Sequence, residues 1–222
     1  TTRLVSYAAA AEKNNPVFNG IYFEIKGSVF AMAATNTHRL ATKDMSLTMP
    51  ATSEGRMIVP SGILSDVCKL LPVEEDAEVE VSWAKSHAAF TFGNTYFITN
   101  LISGQYPDYH RVIPSRFDVE AVFNLKELSD AIRMVSPISR DVSYNTVNFN
   151  FDDNQVEIYA EDSDIGGSKV SIPAKLSGLL PLSIIFNCSY IEDILKHSTG
   201  DTITLHLMNR GPMLVEQEED KN

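Results

Sequence analysis

The sequence predicts an α+β protein made of two copies of one domain, each with two helices packed on antiparallel sheets. Three observations carry this. Most apolar segments alternate with period two, as half-buried antiparallel strands do. Four short segments instead space their apolar residues three and four apart, as helices lying on a sheet do. Apolar positions also recur 127 residues apart: Val5 and Ile132, Val29 and Val156, Val59 and Phe186, Leu64 and Ile191, Val67 and Ile194.

The elements follow in order. Leu4, Val5, Ala8 and Ala9 open the chain with helical spacing. Ile21, Phe23 and Ile25 share one side of a strand, with Tyr22, Glu24 and Lys26 on the other, and Gly27-Ser28 is the turn that follows. Ile63, Leu64, Val67, Leu70 and Leu71 form the second helical stripe, with Ser61 as its candidate N-cap. Leu125, Leu128, Ala131, Ile132 and Val135 form the third, opened by the capping box Asn124 and Glu127. Val147 to Phe151 and Val156 to Ala160 alternate on either side of the turn Asp152-Asp153-Asn154. Ile191, Ile194 and Leu195 form the fourth stripe behind a candidate cap, Ser189, and Thr202 to Leu207 alternates again. Both copies run helix, strand pair, strand, helix, strands. The connection lies at Arg116 to Val122, which gives domains 1–117 and 118–222. Internal repeats of this kind point to stacked or ring-like architecture.

The chain has 222 residues, of which 44% are hydrophobic and 21% charged, a globular balance. No run of eighteen apolar residues occurs, so no membrane-spanning helix is expected. Thr1 to Tyr7 lacks the apolar core of a signal peptide. Two distant cysteines, Cys68 and Cys188, make no disulfide framework and point to a reducing compartment. Against 18 basic residues stand 29 acidic ones, a net charge of −11. That argues against a surface coated in nucleic acid, but not against one basic face.

A search for catalytic chemistry finds no phosphate loop, no His-Glu-x-x-His and no Gly-x-Ser-x-Gly elbow. His38, His87, His110, His197 and His206 lack ligand spacing, and neither cysteine has a partner two residues away. Glu161 to Gly167 resembles a calcium loop, but Gly166 and Pro173 stand where ligands are required, so a solvated turn is expected. Glu74-Glu75-Asp76 and Glu216 to Asp220 read as solvated charge runs. No catalytic residue, metal or cofactor is expected. A hydrolase whose carboxylates converge from distant positions stays open.

Two segments are over-specified for a core. One is Ala34-Thr35-Asn36-Thr37-His38-Arg39-Leu40-Ala41. The other, Leu101 to Pro114, contains Gly104-Gln105-Tyr106-Pro107-Asp108-Tyr109-His110-Arg111-Val112-Ile113-Pro114. Turns that cap strand ends are the plain structural reading. Together, however, these segments resemble the bacterial replicative sliding clamp family, the beta subunit of DNA polymerase III. Asn19-Gly20-Ile21 and Phe186-Asn187-Cys188-Ser189-Tyr190 are similar too. Asn36 stands where the family usually has Asp, and Thr37 where it commonly has a small residue.

The resemblance covers essentially the whole chain and implies repeated DNA-clamp domains: the middle clamp domain at 1–117 and the C-terminal one at 118–222. The family's first domain and closing strand have no counterpart, so a fragment or part of a longer protein is expected. The implied function is that of a processivity factor, not itself an enzyme. It would close as a head-to-tail homodimer around duplex DNA, tether the polymerase catalytic subunit, and stay cytoplasmic and nucleoid-associated without touching membrane. Lys69, Lys126, Arg133 and Lys196 lie off the apolar helix stripes and would face DNA, binding phosphate rather than bases. The resemblance also implies a pocket between the two domains, where the polymerase, clamp loader and repair proteins insert short linear motifs. Its matching residues are Phe18, Thr35, Thr37, His38, Arg39, Leu40, Pro114, Tyr144, Asn187, Tyr190 and Pro212. The alternative is a protein-interaction module without a DNA role.

Overall fold

Alternating segments become strands because one face of each finds a core. In the computed structural model, which describes residues 3–11, 15–71, 78–140, 145–162 and 166–217, the chain divides into two units. They are Thr1–Tyr109 and His110–Asn222. The connection read from the sequence lies a few residues further along.

The first unit runs α1 (Arg3–Ser6), β1 (Gly20–Lys26), β2 (Val29–Thr35), β3 (Leu40–Ser46), β4 (Gly55–Pro60), α2 (Ser61–Leu70), β5 (Glu80–Trp83), β6 (His87–Phe92) and β7 (Thr95–Asn100). The second runs β8 (Val119–Asn124), α3 (Leu125–Ser139), β9 (Thr146–Asp152), β10 (Gln155–Asp162), β11 (Gly166–Pro173), β12 (Lys175–Gly178), β13 (Leu182–Asn187), α4 (Cys188–His197), β14 (Thr202–Leu207) and β15 (Leu214–Gln217). All strand pairs among the described residues are antiparallel.

The repeat is visible in the topology. One sheet has the order β3-β2-β1-β4 and its counterpart β11-β10-β9-β13. α2 follows β4 directly, as α4 follows β13, and both pairs of elements sit 127 residues apart. In the hairpins, however, the offset is 126. Lys26 pairs with Val29 across one turn, and Asp152 with Gln155 across the other. That single-residue slip overturns the match of Val29 with Val156. In a strand one residue exchanges faces, and Val29 is 47% exposed while Val156 is fully buried. The second sheets differ in extent, β5-β6-β7 against β12-β8-β14-β15.

Each unit has its own main core. Ile21, Phe23 and Ile25 are buried together with Val5, Leu64 and Val67. Val147, Phe149 and Phe151 are buried with Leu128, Ile132, Val135, Ile203 and Leu205. The turns behave as their residues require: Gly27 has φ +57° and Asp153 φ +48°.

Helix starts differ in part from expectation. Asn124 caps α3 as predicted, accepting the Glu127 amide at 3.0 Å. Ser61 is not a cap. Pro60 holds that position and makes no side-chain bond. Ser189 is likewise inside α4, whose cap is Asn187. Leu70 falls off its predicted stripe, 56% exposed where α2 ends. No described helix is long and apolar enough to cross a membrane.

Candidate functional site

In the first unit, Thr35 to Leu40 forms the turn from β2 to β3. Asn36 accepts the amides of His38 at 3.1 Å and Arg39 at 3.0 Å through its side-chain carbonyl. A carboxylate oxygen would accept the same two bonds, so the family's usual Asp is chemically replaced. Thr35 Oγ1 accepts the Thr37 amide at 3.1 Å and donates to the Arg39 carbonyl at 2.7 Å. Thr37 has φ +76°, unfavourable for a β-branched residue. Thr35, Thr37 and His38 therefore shape the turn itself. Arg39 projects to Tyr7, donating to its carbonyl and lying 5.4 Å from its ring centroid.

The second over-specified segment anchors against the first. Tyr106 and Tyr109 are buried with Ala33 and Ile58, and Leu40 packs on this cluster. Tyr22 stacks on Tyr106 at 4.9 Å, and Phe18 meets Tyr106 edge-on at 6.2 Å. Phe18 and Leu40, distant in sequence, thus share one aromatic cluster. Burial pushes the phenols of Tyr106 and Tyr109 up to about 12. With Val17 and Gln105, Phe18 and Tyr106 line an open cavity of about 310 Å³.

In the second unit, Asn187 and Tyr190 come together because the Asn187 side chain accepts the Tyr190 amide at 3.4 Å. Both are half-buried, as is Pro114, while Pro212 is exposed. Tyr144 lies outside the described residues, as do Glu74-Glu75-Asp76 and Ser163 to Ile165 of the calcium-like turn. A larger cavity, about 550 Å³, opens beside Phe123, Glu127 and Leu176 and contains no predicted site residue.

The candidate DNA-facing residues are all exposed, but they do not make basic helix faces. Lys69 pairs with Asp66 at 2.9 Å, Arg133 with Asp130 at 3.4 Å, and Lys196 with Asp193 at 3.9 Å. Each acid sits three residues before its base, on the same helix. Glu127 follows Lys126 directly.

Sequence reasoning missed Tyr7, the partner of Arg39, and a polar bridge around Asn145.

Two α+β units with one shared sheet order define a tandem-repeat scaffold, and solved structures of sliding clamps are similar to it. The Bacillus subtilis clamp matches 99% of this chain and 58% of its own length, with a TM-score of 0.92 and 26% identity. A Pseudomonas aeruginosa clamp, solved bound to griselimycin, matches 99% of this chain and 60% of its own length, with a TM-score of 0.89 and 25% identity. Residues 1–108 match the DNA polymerase III beta subunit central domain, and residues 110–222 its C-terminal domain. The chain belongs to the DNA polymerase III beta subunit family. The beta sliding clamp of Chlamydia pneumoniae is 30% identical over 200 residues, 90% of this chain and 54% of that protein. That of Staphylococcus epidermidis is 25% identical over 216 residues, 97% and 57% respectively. The chain thus spans a little over half the length of these relatives.

Proposed function

We propose that this chain supplies the central and C-terminal domains of a processivity clamp. On this reading the full protein closes head to tail as a homodimeric ring around duplex DNA, holds it without reading bases, and tethers the replicative polymerase. It performs no chemistry itself. Lys69, Lys126, Arg133 and Lys196 face the phosphates. Short linear motifs of the polymerase, clamp loader and repair proteins dock on Phe18, Thr35, Thr37, His38, Arg39, Leu40, Pro114, Tyr144, Asn187, Tyr190 and Pro212. The supporting observation is that the two halves match consecutive domains of one family.

The affinity for a motif is set by a small apolar contact. Burying two large side chains contributes about 3–6 kcal/mol before ordering costs. The dissociation constant is therefore on the order of micromolar or weaker. Calorimetry with a peptide carrying Gln near its start and Leu and Phe near its end tests this. Tyr190→Ala should weaken binding, and Lys196→Ala, on the opposite end of α4, should not. Equal losses in the two variants would refute the assignment.

A further inference from the structure

The start of α4 is held by Asn145 as well as by its cap, Asn187. Asn145 has φ +52°, a left-handed conformation that Asn adopts more readily than most side chains. Its carbonyl accepts the Cys188 amide at 2.7 Å. Ser139, fully buried at the end of α3, donates its hydroxyl to Asn145 Oδ1 at 2.9 Å. Asn145 Nδ2 donates to Ser189 Oγ. One side chain thus ties the last turn of α3 to the first turn of α4. That first turn carries Tyr190 and the cap residue Asn187.

The other copy is an internal comparison. With the hairpins aligned, Asn19 matches Asn145, but its side chain donates to the Ala10 carbonyl at 2.9 Å. Gly62 stands in α2 where α4 has Ser189, and Pro60 stands where Asn187 caps. No hydroxyl is available at Gly62 for such a bridge. The bridged helix start is the one that carries candidate pocket residues.

We propose that Asn145 is a positioning residue for partner peptides: it holds the first turn of α4 so that Asn187 and Tyr190 meet a bound peptide in one arrangement. The inference rests on the peptide-binding reading above. A turn that samples other arrangements binds more weakly in proportion to the competent fraction.

The test uses the full chain and a labelled peptide with Gln near its start and Leu and Phe near its end. Asn145→Gly keeps the left-handed backbone and removes the bridge, and Ser189→Ala removes its far end. Each should weaken binding about fivefold, the size of one net hydrogen bond. The double variant should be no worse than Asn145→Gly alone, because that variant already deletes the bond to Ser189. Hydrogen exchange at the amides of Cys188 to Tyr190 should quicken in Asn145→Gly and stay unchanged at Ser61 to Ile63. Ile203→Val, a core change in the same unit, should leave peptide affinity alone. If it weakens binding as much, the bridge is only structural and the proposal falls. Wild-type affinity in Asn145→Gly overturns the positioning role and spares the pocket. A wild type that binds no peptide overturns the pocket reading and the positioning role with it.

Discussion

Neutralising three helix aspartates should strengthen the grip on DNA. Asp66, Asp130 and Asp193 each hold a candidate DNA-facing cation at 2.9, 3.4 and 3.9 Å. The three cations keep 67–80% of their side-chain surface exposed. Exposed pairs of this kind contribute less than about 1 kcal/mol each, so the triple variant D66N/D130N/D193N should remain folded. It raises the net charge by three from −11. Each freed cation that neutralises a phosphate adds about 0.9 to the slope of log K against log salt. The slope should therefore steepen by up to about 3. Fluorescence anisotropy of a labelled duplex across a series of salt concentrations reads this directly. The control variant E80Q/D152N/E161Q makes the same charge change at exposed strand positions. An unchanged slope in the helix variant, or an equal change in the control, refutes the assignment of these helices to DNA.

Two further outcomes follow from the first unit. Thr35→Ala removes both bonds that its hydroxyl makes in the β2–β3 turn and should cost about 1–2 kcal/mol, whereas Thr35→Ser should cost little; denaturant unfolding followed by Trp83 fluorescence checks both. Tyr106 and Tyr109 have folded values of about 12 against an ordinary 10, so their stabilisation is full below pH 10 and is lost as pH rises towards 12. Ultraviolet titration should show late-ionising tyrosines, Tyr22 among them because burial raises its phenol too, with unfolding of this unit as Tyr106 and Tyr109 ionise; ordinary ionisation of all eight would contradict their burial.

What the sequence disclosed depended on periodicity. Phe149 and Phe151 alternate against asparagines, so burial of one face followed from spacing alone. Caps were harder, because the choice turns on which residue stays extended. Asn187 does, at φ −75° and ψ 119°, which leaves the neighbouring Ser189 inside the helix. Val29 misled because a one-residue slip between the copies is invisible in a list of apolar matches, yet it reverses the face. The turn around Asn36 was visible as an unusual polar run, but not that Thr35 and Asn36 spend their side chains on the turn itself. The Asn145 bridge joins residues 6 and 44 positions apart and has no local signature. The helix ion pairs did have one, the acid three residues ahead of the base.

Those pairs bear on how a ring could hold DNA and still move. A row of bare lysines and arginines releases counterions with every phosphate contact and grips steeply. A buried ion pair is costly to break, because it strands a charge. The pairs on α2, α3 and α4 lie at neither extreme. Both partners of each keep some of their side chain open to water, so a passing phosphate can replace the carboxylate without leaving an uncompensated buried charge. The exchange is close to neutral in either direction. On the proposed reading, retention then comes from the closed ring, and the helix surfaces need only be indifferent to where along the duplex they sit. The aspartates supply that indifference, which is why removing them should tighten binding rather than leave it unchanged.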